Sequence, residues 1–139
     1  MKYFLLLLAF VSSLGMAQVS NTTVTPLYSA ARTDTTVVSG DFGNFGYRGA
    51  HFVVNVSTFT SGTYTPKIQG KDPVSGIYYD ILVGSAIAST GTTILKVYPG
   101  ISAIANGSAS DILPSTWRVL MVGASTPNMV LSVAAYLEQ

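Results

Sequence analysis

Apolar and polar residues alternate with a period of two along most of the chain. From Gly49 to Ser57, Ala50, Phe52, Val54 and Val56 fall on one face and His51, Val53 and Asn55 on the other. That is the pattern of a strand with one side on a core. Tyr64, Pro66 and Ile68 alternate in the same way with Thr65, Lys67 and Gln69. Pro66 marks this strand as an edge or bulged one, because proline has no N–H to give to a ladder. Further strands are predicted over Thr33–Ser39, Ile77–Val83, Thr92–Tyr98, Thr116–Val122 and Met129–Leu137. Ile77–Val83 is apolar on both sides, as in a strand covered on two faces or lying at a subunit contact. Trp117 falls in register with Val119 and Met121.

The punctuation between these segments is strong. Thr60-Ser61-Gly62 and Thr126-Pro127-Asn128 read as turns, Pro99-Gly100 as a strand stop, and Asp72-Pro73-Val74-Ser75-Gly76 as a hairpin connection. Gly40 to Tyr47 interleaves glycines with aromatics, which makes a sharply turning loop that can plant rings on a neighbour. Ile101–Asp111 is the longest connection, with room for one helical turn, and serves as the crossover a Greek key requires. Gln18 to Arg32 is Thr-rich and contains Pro26, so it reads as an extended N-terminal arm or an edge strand. The expected fold is all-β, an antiparallel sandwich or jelly roll of about seven to eight strands over residues 33–139.

Composition narrows the class of protein. A chain of 139 residues is one domain by length and can bury a real core. It has no cysteine, so disulfides and thiolate metal sites are excluded. Charged residues are 9% of the chain against about 25% in an average domain, while hydrophobic residues reach 48%. Such a chain folds, and its surface has weak protection against association. Lys2, the apolar run Tyr3 to Val11 and the small-x-small site Gly15-Met16-Ala17 form a signal-peptide pattern, giving a mature start at Gln18. The alternative is a retained apolar arm, since a spanning helix needs about 20 apolar residues and this run is shorter. Without Lys2 the basic residues number six and match the six acidic ones, so bulk charge attracts neither nucleic acid nor anionic lipid.

Candidate chemistry is sparse. His51 is the sole histidine, so any triad or imidazole base would have to use it, and no nucleophile signature accompanies it. Its expected place is the less buried face of a strand. Asp72 and Asp80 flank one hairpin, where a carboxylate pair could do glycosidase work. Their plainer roles are turn formation by Asp72 and pairing of Asp80 with Lys67 or Lys96. Asp41 and Asp111 lack the spacing of a calcium loop. The N-x-S/T matches at Asn21, Asn55 and Asn106 are expected by chance in a Ser/Thr-rich chain. This leaves aromatic side chains as the candidate interaction surface: Phe42, Phe45 and Tyr47 in the glycine loop, with Tyr78, Tyr79 and Tyr98 on strands. No catalytic, metal or cofactor-binding residue is expected, and the chain is expected not to be an enzyme.

The segment GKDPVSGIYYDILVG, followed by TGTTILKVYPGI and SDILPSTWRV, resembles a group of small β-sandwich virion structural proteins of tailed bacteriophages and prophages. The likeness runs from about Arg48 to Leu137. Its matching positions are Gly70, Asp72, Pro73 and Gly76 at the hairpin, Tyr98-Pro99-Gly100, Leu113-Pro114 and Trp117-Arg118. The resemblance implies a non-enzymatic head-decoration or tail-associated subunit that binds copies of itself and other structural proteins. One departure stands out, because virion proteins assembled in the cytoplasm need no secretion signal. The other expectation is therefore an exported binding module whose aromatics stack on a glycan or a cell-surface partner, placing the protein either in a virion or outside the cell.

Overall fold

The computed structural model describes residues 21–139. Residues 1–17, read as a signal peptide or a retained apolar arm, lie outside the described residues, as do residues 18–20 of the extended arm read over 18–32. Eight strands follow in order: β1 (Thr22–Arg32), β2 (Thr36–Val38), β3 (Phe42–Gly43), β4 (Gly49–Lys71), β5 (Tyr78–Val83), β6 (Gly91–Val97), β7 (Ser108–Ala109) and β8 (Thr116–Glu138). The fold is all-β and sandwich-like, and it is built by folding one sheet over on itself.

The frame is the antiparallel pair β4 and β8, each 23 residues long. They pair along both halves, from Gly49↔Glu138 to Phe59↔Met129, and again from Thr63↔Ala124 to Gly70↔Trp117. In the first layer the order is β1, second half of β8, first half of β4, β6, β7. In the second layer β5 lies beside the second half of β4, while β2 and β3 lie beside the first half of β8. All pairs are antiparallel except β6 with β7.

The predicted turns at 60–62 and 126–128 are bends inside these two strands. Register slips between Phe59, Ser61 and Thr63, and Gly62, Ser125 and Thr126 all take positive φ values of 50–70°. Ser61 Oγ donates to the Thr126 carbonyl across the fold at 2.8 Å. The turn residues were legible, but their pairing with each other lets the chain bend without leaving the sheet.

Folding the sheet brings its two inner faces together as the core. Ala50, Phe52, Val54 and Val56 from the first layer meet Tyr64, Ile68, Trp117, Val119 and Met121 from the second, all at most 2% exposed. Phe52 and Trp117 meet edge to face with centroids 5.4 Å apart, and Phe42 stacks on the other side of Trp117 at 4.9 Å. Such offset and edge-on contacts suit the ring quadrupoles.

Two expectations change, at Ile77–Val83 and after β6, while Pro66 lies in a bulged strand as expected, with a register slip between Ile68 and Gln69, at the point where β5 leaves it. Gly84 donates to the Pro66 carbonyl at 2.8 Å, Pro66 has no N–H to return, and the ladder resumes only at the Tyr64↔Ile87 bridge. Ile77–Val83 is not covered on two faces. β5 pairs only β4, and Tyr79 and Asp80 are exposed. The connection after β6 holds no helix. It lays β7 beside β6, held by Lys96 N–H to the Gly107 carbonyl at 2.9 Å, and then crosses to the second layer. The Thr-rich arm becomes edge strand β1, with Pro26 inside a register slip between Val24 and Leu27.

Candidate functional site

Charge is scarce in this chain, yet five charged side chains gather on the outer face of the second layer. Gln69 lies between Asp80 on β5 and Arg118 on β8, because the pairings Gln69↔Asp80 and Gln69↔Arg118 put all three on one row. Its Nε2 donates to Asp80 Oδ1 at 2.7 Å, and its Oε1 accepts from Arg118 Nε at 2.9 Å. Lys67 Nζ reaches the other Asp80 oxygen at 2.6 Å. Tyr78 lies across the sheet beneath the Arg118 guanidinium, which sits 3.3 Å from the ring centroid. The Tyr78 hydroxyl donates to Asp41, as does Lys71 Nζ at 2.9 Å.

These contacts set the ionisation of the network. The Lys71 and Tyr78 hydrogen bonds hold the Asp41 carboxyl below the usual carboxylate range, and the Asp41 bond raises Lys71 in turn. At Asp80 partial burial pushes upward, but the Lys67 and Gln69 bonds and the Lys67 charge together outweigh it and the net shift is down. Each oxygen of both carboxylates accepts at least one hydrogen bond. The arrangement clamps the segment before β3 to β4, β5 and β8.

The other residues singled out for chemistry are dispersed. Asp72 shapes its hairpin: its carboxylate accepts from Ser75 Oγ and from the Val74 N–H at 3.0 Å, which lowers its pKa, and Gly76 closes the turn at φ 72°. It does not meet Asp80. His51 faces outward from the first layer with Nε2 3.6 Å from Glu138 Oε1. Asp111 accepts from the next residue's N–H at 2.8 Å. Among the described residues no group of three His, Asp or Glu side chains is arranged to hold a metal ion.

The six aromatics do not form one surface. Phe42 is stacked on Trp117 in the core rim, and Tyr47 packs against the core with its hydroxyl bonded to Thr22 Oγ1. Tyr78 has one face under Arg118. Tyr98 is half-buried, its hydroxyl donating to the Gln139 carbonyl at 2.8 Å and Arg48 lying 5.9 Å from its ring. Phe45 and Tyr79 remain exposed, at 89% and 46%. Both belong to the end of the sandwich opposite the bends. Phe45 follows Asn44, whose N–H donates to the Ser115 carbonyl at 2.8 Å and whose side chain donates to the Leu113 carbonyl. Tyr79 and Pro114 lie together over Gly70, where a β-carbon would come within 2.5 Å of Tyr79 and 2.8 Å of Pro114.

The outer face of the first layer was not singled out from the sequence. Ile94, Val53 and Ala134 are aligned across β6, β4 and β8, and Lys96, His51 and Tyr136 form the adjoining row. Ile94 and Tyr136 are 51% and 45% exposed. Alternation within Thr92–Tyr98 was the available signal, since Leu95 and Val97 inward require Ile94 and Lys96 outward. Comparisons with family models, with curated proteins and with solved structures return no match.

Proposed function

We propose that this chain is a non-enzymatic structural protein, an assembly subunit of phage virion type that decorates a head or belongs to a tail. It acts through protein–protein contacts with copies of itself and with other structural proteins. The observation that carries the reading is the exposure of large apolar side chains on a charge-poor surface. Val74, Ile77, Ile112 and Phe45, each more than 60% exposed, stand out from the hairpin and the loops near one end, and Ile94 and Tyr136 from one sheet face. Exposed apolar area of this kind marks contact surfaces. The engagement of Asp41 and Asp80 with neighbouring side chains, and the outward place of the sole histidine, support the non-enzymatic part of the reading.

The test is the state of the protein as its source produces it. Mass spectrometry of purified particles is expected to find the chain in stoichiometric amount, and light scattering to find oligomers of the free protein. A chain that stays monomeric at high concentration and is absent from particles overturns the reading. Binding on a glycan array that disappears in Phe45→Ala and Tyr79→Ala would favour the exported glycan-binding module in its place.

A further inference from the structure

We propose that the outer face of the first layer docks a second copy of this chain, face to face, about a two-fold axis parallel to β4. The inference rests on the assembly reading and names the partner and the surface. Three strands present it. The central row is Ile94, Val53 and Ala134, and the adjoining row is Lys96, His51 and Tyr136. Glu138 lies one step further along β8, opposite Gly49, and reaches back to within 3.6 Å of His51. The cation therefore stands on the β6 side of β4, and the ring and the carboxylate on the β8 side.

A two-fold axis along β4 exchanges those sides. Each Lys96 then lies over Tyr136 and Glu138 of the other copy, a cation against a π face and an anion, and this favourable contact occurs twice. Val53 meets Val53, and Ile94 meets Ala134, large against small as interdigitating sheets require. An axis running across the strands through the central row would instead lay β6 on β6 and set Lys96 over Thr92 of the other copy, with no opposite charge to meet. The charges thus select one orientation. Lys96 is also available for the contact: among the described residues it forms no ion pair, whereas Lys67 and Lys71 are committed to Asp80 and Asp41.

Charge reversal tests the geometry, with sedimentation equilibrium on the full chain as the readout and circular dichroism confirming that each variant is folded. Lys96→Glu and Glu138→Lys are each expected to raise the dimer dissociation constant by about tenfold or more, since each places like charges together. The double variant restores wild-type association. Ile94→Lys, an exposed position outside the core, weakens the dimer as well, and Lys67→Gln on the other face does not. If the wild type associates but the reversals leave it unchanged, or the double variant fails to recover, the docking face is wrong and the assembly reading stands. If the wild type is monomeric yet present in particles, the two-fold contact is refuted alone. If it is monomeric and absent from them, both fall.

Discussion

Trp117 and Tyr64 hold the second layer to the rest of the molecule in different ways. Trp117 is sandwiched between Phe42 and Phe52 and is fully buried. Trp117→Ala removes that contact from both layers at once and is expected to cost about 3–5 kcal/mol in denaturant unfolding followed by circular dichroism. Tyr64 is equally buried, but its hydroxyl donates to the Asp34 carbonyl at 2.6 Å, tying the bend to the link between β1 and β2. Burial, with the nearby Asp34 charge, raises its pKa, so the phenol stays a donor. Tyr64→Phe keeps the ring and loses one hydrogen bond, so the same measurement should show a loss of about 1 kcal/mol. A Tyr64→Phe loss as large as that of Trp117→Ala would show that the hydroxyl, rather than the ring, organises the bend.

The bends in β4 and β8 are the elements on which the architecture turns. At Gly62 φ is 70°, and a β-carbon would lie 2.5 Å from Pro127 Cα, so both backbone strain and collision oppose any side chain. Gly62→Ala is expected to lower stability by more than about 1 kcal/mol. Gly40→Ala, with nothing within 4 Å and no positive φ, should stay within about 0.5 kcal/mol of wild type. Thermal melts of the two variants side by side check this. The inward faces around these bends were legible from alternation alone: Ala50, Phe52, Val54 and Val56, then Tyr64, Pro66 and Ile68, then Trp117, Val119 and Met121 are all buried. Period two needs no knowledge of neighbours. What alternation does not carry is pairing, and so Thr60-Ser61-Gly62 and Thr126-Pro127-Asn128 read as two turns between short strands. The candidate surface suffered for the same reason. Phe42 and Tyr78 have the composition of a binding loop and strand, but Trp117 and Arg118, distant in sequence, occupy their faces.

At the scale of the whole molecule, ionic ties on the outer face link segments distant in sequence. Asp41, Asp72 and Asp80 all have folded pKa values below the ordinary one. A depressed carboxylate contributes stability that is complete above its unfolded value of about 3.9 and is lost as pH falls through the folded one. Lys71, raised by Asp41, contributes below its unfolded value of about 10.4 and loses that contribution as pH climbs through the folded one. Melting temperature is therefore expected to be flat between these limits and to fall below about pH 4, with a shallower acid limb in Asp41→Asn. An acid limb unchanged in that variant would place the acid sensitivity elsewhere. The frame of two long strands also sets a timetable for synthesis. Among the described residues β1, β2 and β3 have β8 as their only ladder partner, and β4 needs it along both halves. β8 is the last of the eight strands to leave the ribosome. Until it does, the nascent chain holds four strands with their main partner missing, so the body of the molecule closes in one late event rather than growing strand by strand.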